Sequence, residues 1–373
     1  MIYLDNAATT HKKPLSVILN TIKAMTIDSV NAGRGGYKLS LRAENEILDT
    51  RENFKQSFNL KSIDNVIFTS GATMSINLAL FGTKKIGGHI VATMYEHNSV
   101  LRSLEYLKTN FNITYTLVSP RADGVINPID IESAINNKTY LIVTNHTSNV
   151  VGYDCDVAAI GKIAKRHGLI YMVDGAQSVG HKAIDMQACN INMLAIAGHK
   201  GLYAPQGIGV LLINNVSVAP LIMGGTGTYS DSVVQPVGLP EGLESGTHNL
   251  PGIYGINAGL KFVMKNMDKI NNKIYNLTYY LVENLKHINN VVLYSKNINS
   301  GVVSFNIKGK TSAEVSDILS SKYSIATRAG LHCAPMVHKH FGTMETGMVR
   351  VSISYYTTKR AISKLLKAIK TLA

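Results

Sequence analysis

The sequence predicts an α/β fold, with a mostly parallel seven-stranded sheet between helices and a smaller α+β unit after it. Three observations carry that expectation. From residue 65 to residue 213, apolar runs of strand length alternate with helical patterns, the order that builds parallel sheets covered on both faces. After Ile213 the alternation stops, and residues 224–252 are rich in Gly, Ser, Thr and Pro, the composition of a long, functional loop. Beyond that loop come one long helical pattern and a short series of strand and helix signals.

Taken in order, the chain opens with a short strand, Ile2 to Leu4, inside a polar arm that runs to about residue 15. Asn31 to Tyr37, with Gly33, Arg34, Gly35 and Gly36, is a glycine-rich loop between two helical patterns. The second of these, Leu41 to Phe58, spaces Ile47, Leu48, Phe54 and Phe58 among charges. The strand–helix units follow: strand Asn65–Thr69 and helix Thr73–Phe81, strand His89–Thr93 and helix Ser99–Lys108, strand Thr114–Val118 and helix Ile129–Ile135, strand Tyr140–Thr144 and helix Val157–His167. Leu169–Val173, Met193–Ala197 and Gly207–Ile213 complete the seven strands. A helix at Ile253–His287 leads to Val291–Tyr294, Val302–Ile307, a helix at Ser312–Tyr323, Val349–Ser354 and a last helix at Lys359–Leu372.

At 373 residues the chain buries a large core, and 45% hydrophobic with 16% charged residues is ordinary for a globular protein. No apolar run reaches the roughly 18 residues that span a bilayer, so no membrane partner is expected. Met1 to Asn6 show no basic stretch leading into an apolar run, so no signal peptide is expected. Cys155, Cys189 and Cys333 are odd in number and far apart, which favours a reducing cytoplasm over a disulfide framework. The net charge of +13 comes from lysines scattered among Asn and Ile, without a block of like charge or a nucleic-acid motif. Nucleic-acid binding is therefore not expected, although the field attracts anionic substrates and cofactors.

In open α/β sheets chemistry collects at the carboxyl ends of strands. Asp174 ends one apolar run and Lys200 follows another, so both are candidates for one crevice. An acid and a lysine there suit a pyridine aldehyde: the amine forms a Schiff base and the acid keeps the ring nitrogen protonated. The plain alternative is two surface charges after two core strands. Thr69-Ser70-Gly71-Ala72-Thr73, between strand and helix, suits a single phosphate held by backbone N–H groups, or is an ordinary helix cap. His97, after another strand, is placed to lie over a ring or to pass protons. Asn149 and Gln177 are candidate donors to a ring oxygen, or turn residues. Arg328-Ala-Gly-Leu-His-Cys333-Ala-Pro335 combines a loop cysteine with a histidine and an arginine, the setting of a thiolate nucleophile. Arg328 suits a substrate carboxylate, and Arg350 is a second candidate or a salt-bridged strand residue. A metal reading of Cys333, His338 and His340 fits no common ligand spacing.

With these pieces in order, the chain resembles the class V, fold-type I pyridoxal-phosphate enzymes, and within them the cysteine desulfurases and selenocysteine lyases. The resemblance runs almost end to end through Tyr3 to Thr10, Ser70-Gly-Ala-Thr73, Glu96-His97, Ser148-Asn-Val-Val-Gly152, Asp174-Gly-Ala-Gln177, Gly198-His-Lys200, Gly246-Thr-His-Asn249 and Arg328 to Ala334. The order of the strings carries it, more than any one of them. It implies pyridoxal 5'-phosphate as cofactor. Lys200 would form the Schiff base and move protons at the substrate α-carbon. Asp174 would pair with the ring nitrogen, His97 stack on the ring, and Gln177 meet the ring hydroxyl. Ala72 (through its N–H), Thr73 and His199 would hold the phosphate. Thr247 would reach the phosphate of a neighbouring subunit, which implies a homodimer. Asn149, Arg328 and Arg350 would position the substrate, L-cysteine or L-selenocysteine. Cys333 would take the sulfur as a persulfide and pass it to a protein sulfur acceptor. The alternative is a selenocysteine lyase or another class V, aminotransferase-type reaction. The implied division is an arm at 1–15 associated with a small domain, a large cofactor-binding domain at 16–255, and a small domain at 256–373. Two departures stand out. Ala197 replaces a hydroxyl residue common before Gly-His-Lys, and an extra Gly201 follows Lys200. The string from His332 to Thr343 resembles a subgroup labelled only as cysteine desulfurase-like.

Overall fold

The computed structural model describes residues 1–33, 35–295 and 299–373; Arg34, in the predicted glycine-rich loop, lies outside them. In chain order the elements are β1 (Ile2–Tyr3), α1 (Leu15–Thr26), α2 (Lys38–Phe58), β2 (Val66–Thr69), α3 (Ala72–Gly82), β3 (His89–Thr93), α4 (Asn98–Phe111), β4 (Thr114–Val118), α5 (Pro128–Ser133), β5 (Thr139–Asn145), α6 (Val157–Arg166), β6 (Ile170–Asp174), β7 (Met193–Ala197) and β8 (Gly209–Ile213). Then follow α7 (Leu250–Lys286), β9 (Val291–Leu293), β10 (Val302–Ile307), α8 (Ser312–Tyr323), β11 (Ile325–Ala326), α9 (Pro335–Phe341), β12 (Val349–Ser352) and α10 (Lys359–Leu372). Two short elements, β11 and α9, were not legible in the sequence. Each is too brief to show a period.

Seven strands form one sheet in the order β2-β8-β7-β6-β5-β3-β4. Neighbours from β7 to β4 pair in parallel, and only β8 runs the other way, against both β2 and β7. The central strands β3, β5, β7 and β8 are buried along their whole length, which is why their sequences are continuous apolar runs. At the edge, β4 alternates exposed and covered residues instead. Two apolar clusters lie on the two faces, one with Ile76, Leu80, Val100 and Leu104 of α3 and α4, the other with Ile160 and Ala164 of α6. Because β2, β3, β5, β6 and β7 point the same way, their carboxyl ends share one edge. The antiparallel β8 returns its preceding turn, 205–208, to that edge.

A second sheet, β12-β10-β9, is antiparallel. The helix α7 carries the chain to it without a break, packing against α1 and α2 on the way and against α10 further on. The chain start returns to this part: β1 pairs with β11 in parallel, and Leu4 accepts a hydrogen bond from Ser352 N–H at 2.7 Å. Among the described residues no helix is long and apolar enough to cross a membrane.

Candidate active site

Helix α3 begins at Ala72 after Gly71, and no side chain caps it. Its first N–H groups are therefore left for an anion. Close approach shapes this corner: a Cβ on Gly209 would come within 2.6 Å of the Gly71 backbone. His97 is the N-cap of α4. Its Nδ1 accepts from Ser99 N–H at 3.1 Å, which places the ring proton on Nε2. Burial, then the nearby Lys200, Arg328 and other cations, push its pKa down to about 4, so the ring is neutral.

Asp174 closes β6 and Lys200 follows the end of the adjacent β7. Burial raises the Asp174 carboxyl above its ordinary range. A hydrogen bond from Ala176 N–H to its Oδ1 at 2.9 Å and the charge of Lys200 oppose that rise. Burial lowers the Lys200 amine to about 8, with Arg350 and Arg328 helping and Asp174 opposing. A lysine so placed is in part uncharged near neutral pH, the form that attacks a carbonyl carbon. The Lys200 segment is clamped by the chain start, since the Thr10 hydroxyl donates to the His199 carbonyl at 3.0 Å. Gly201 has a packing reason: a Cβ there would lie 2.0 Å from the Val179 carbonyl oxygen.

These groups line a single cavity of about 480 Å³. Of the residues singled out in the sequence, Ala72, Thr73, His97, Asn149, Asp174, Gln177, His199, Lys200, Arg328 and Arg350 all face it. Ala197 faces it too, with no hydroxyl to offer. Thr247 does not line it and is exposed. Cys333 is also absent from its wall. The thiol is exposed in an adjoining groove with Thr73, His97, Ser99, Arg102 and Tyr106. Gln177 donates to the Ala7 carbonyl at 3.0 Å, and Asn149 donates to the His332 carbonyl at 2.7 Å. Ala7, Asn145, Thr147, Gln206 and His332 also line the cavity. The sequence assigns none of them a site role: Asn145 and Thr147 end or follow β5 without a distinguishing pattern, and Ala7, Gln206 and His332 reach the cavity from separate parts of the chain.

The cysteine loop makes several ties to its surroundings. Arg328 and Arg350 exchange backbone hydrogen bonds of 3.2 and 2.7 Å, Cys333 accepts from Asn98 N–H at 2.7 Å, and Arg328 Nη2 lies 3.8 Å from the Cys333 sulfur. His332 and Cys333 both hold positive φ, 51° and 58°, a strained turn that these ties keep in place. Arg350 is a salt-bridged strand residue that also lines the cavity. It is 1% exposed, with Nη2 2.7 Å from Asp5 and Nη1 donating to the Asn149 carbonyl at 3.0 Å. Its Nε is buried without a partner. Replacing Arg350 by alanine strands the Asp5 charge. Asp5 keeps some contact with water, so the expected loss is near the low end for a broken buried pair, about 3 kcal/mol, read as a lower denaturation midpoint. Cys333, His338 and His340 do not assemble. His338 is buried with Nδ1 2.9 Å from the Thr343 hydroxyl, while Cys333 and His340 are exposed. Among the described residues no group of three or more His, Cys, Asp or Glu stands at metal-holding spacing.

The residues present fit pyridoxal phosphate: uncapped N–H groups for the phosphate, a buried acid for the ring nitrogen, and an amine of lowered pKa for the aldehyde. The model of the family described as aminotransferase class-V matches residues 2–365. The chain belongs to that family, in its cysteine desulfurase branch. A probable cysteine desulfurase of Methanothermobacter thermautotrophicus is 33% identical, over 100% of this chain and 94% of its own length. One from Halalkalibacterium halodurans is 32% identical, over 99% and 92%. Among solved structures, a cysteine desulfurase from Thermococcus onnurineus superposes with a TM-score of 0.92 at 31% identity, covering 100% of this chain and 94% of that one. Enzymes of this class V family depend on pyridoxal phosphate, and the cavity described here is where this enzyme's residues fit it.

Proposed function

We propose that this enzyme converts L-cysteine to L-alanine and holds the sulfur as a persulfide on Cys333 before passing it to a protein acceptor. The observation that carries this reading is the placement of Arg328. It lines the cavity with Asp174 and Lys200, and its guanidinium reaches the Cys333 sulfur at 3.8 Å. One side chain thus joins the cofactor pocket to the thiol.

Pyridoxal phosphate supplies a ring that draws electrons from the bonds at the substrate α-carbon. This chain's residues do the rest. Ala72 N–H, Thr73 and His199 hold the phosphate, Asp174 the ring nitrogen, and Gln177 the ring hydroxyl. The neutral ring of His97 covers the cofactor face. Lys200 takes and returns a proton at the α-carbon, for which an amine with a pKa of about 8 is suited. Arg328, Asn149 and Arg350 orient the substrate carboxylate. Cys333 then attacks the substrate sulfur as a thiolate. An S–S bond forms and the C–S bond breaks. Its electron pair goes to the β-carbon, and a proton completes the methyl group of alanine.

Three coarser features belong to the same proposal. The division into an arm 1–15, a large domain 16–255 and a small domain 256–373 is supported by the two separate sheets and by the β1–β11 pairing. A homodimer is supported by the exposed apolar residues Tyr229, Val233, Val234 and Val237 on the loop before Thr247, a patch of the kind that marks an interface. A reducing cytoplasm is supported by three free cysteines.

Incubating the pyridoxal-phosphate-loaded enzyme with L-cysteine and a reducing thiol tests the reading. Alanine and sulfide are expected in equal amounts. Pyruvate as the product, or amino transfer that requires a keto acid, overturns it.

A further inference from the structure

Glu96 lies between the end of β3 and the His97 cap of α4, with no exposed surface. Its Oε1 accepts from the Thr93 hydroxyl at 2.6 Å and from Asn145 N–H at 3.0 Å. Its Oε2 is buried and has no partner. The ionisable groups that sense it are Asp174 and Tyr171 of β6 and Cys155, none of them a cation. Among the described residues no cation pairs with a carboxylate in that place, and the hydrogen bonds from Thr93 and Asn145 do not offset the loss of water. A neutral carboxylic acid, with its proton on that oxygen, exchanges the large cost of a buried charge for the smaller one of an unpaired O–H.

The position matters for the site. Asn145 ends β5, lines the cavity, and stands opposite Asp174 in the β5–β6 register. His97 is the next residue along the chain. We infer that Glu96 is a positioning residue carried as a neutral acid, which ties β3 to β5 so that His97 and Asn145 keep their places around Asp174. The role given to His97 rests on the proposed function; the neutral state of Glu96 does not.

The protonation state has its own signature. Burial holds the Glu96 proton up to about pH 8, against the pull of the Thr93 and Asn145 hydrogen bonds, while an unfolded glutamate releases it near 4.5. Between those values the folded protein binds more protons than the unfolded chain, so stability falls as pH rises. Glutamine has no such proton. In cofactor-free protein, the melting temperature of Glu96→Gln minus that of wild type is expected to grow from pH 5 to pH 8. A difference that stays flat with pH overturns the neutral acid. In the loaded enzyme, Glu96→Gln is expected to keep the visible cofactor band and cofactor affinity, whereas Glu96→Ala shifts the band and weakens affinity by about tenfold, as misplaced site groups do. Glu96→Gln failing like Glu96→Ala, or Glu96→Ala behaving like wild type, overturns the positioning role. If no variant, wild type included, shows a cofactor band, the proposed function fails while the melting comparison still decides the state of Glu96.

Discussion

Lys200→Ala protein is expected to fold normally, to lose the visible absorbance of bound pyridoxal phosphate on dialysis, and to release sulfide from L-cysteine at least ~10³-fold more slowly. Stability should not suffer. Lys200 lies in a cavity where burial, with Arg350 and Arg328 on the same side, disfavours its charge against the pull of Asp174. Removing the amine relieves that burial cost and, among the described residues, breaks no ion pair, while Asp174 loses the attraction of Lys200 and is left to its burial-raised, neutral form. What it removes is the amine beside Asp174 that is proposed to form the Schiff base and to move the α-carbon proton. Absorbance spectra and sulfide assays on the dialysed variant check both effects. A variant that keeps the band and the activity would move the Schiff base to another lysine and undo the site described here.

Cys333→Ala should show the reverse pattern. The thiol is outside the cavity wall, so the cofactor band is expected to match wild type. The side chain is exposed, and alanine meets the same positive φ that cysteine already holds, so the denaturation midpoint should move little. Sulfide release from L-cysteine is expected to fall by roughly a hundredfold or more, because the nucleophile proposed to take the sulfur is gone. Comparing L-cysteine with L-selenocysteine on this variant sharpens the result. Elimination of selenium need not pass through the thiol, so activity that survives with selenocysteine alone would assign the enzyme to lyase chemistry. Full activity with cysteine would end the persulfide mechanism.

These two residues mark how the site was legible. Lys200 and Asp174 could be found because each lies at the carboxyl end of a buried parallel strand, and a strand buried on both faces writes itself as an unbroken apolar run. The same holds for His97 after β3 and for the Ser70–Thr73 turn before α3. Arg350 could not be settled that way. Its sequence neighbours, Val349 and Val351, show only a strand. That its guanidinium binds Asp5 and the Asn149 carbonyl depends on the chain start returning across the molecule. Glu96 likewise reads as an ordinary polar residue beside His97. Only its burial among Thr93, Asn145 and Asp174 shows that a charge there would be unsupported.

The sequence by itself determined the strands and the helices between them, and through them several residues at the carboxyl edge, because hydrophobic period is a local property. The tertiary structure alone decided which of those residues share the cavity, that Cys333 stands at its mouth and not in its wall, and which charges survive burial. Those outcomes follow from contacts between residues up to 345 positions apart and from how much water each group loses, which no local pattern encodes.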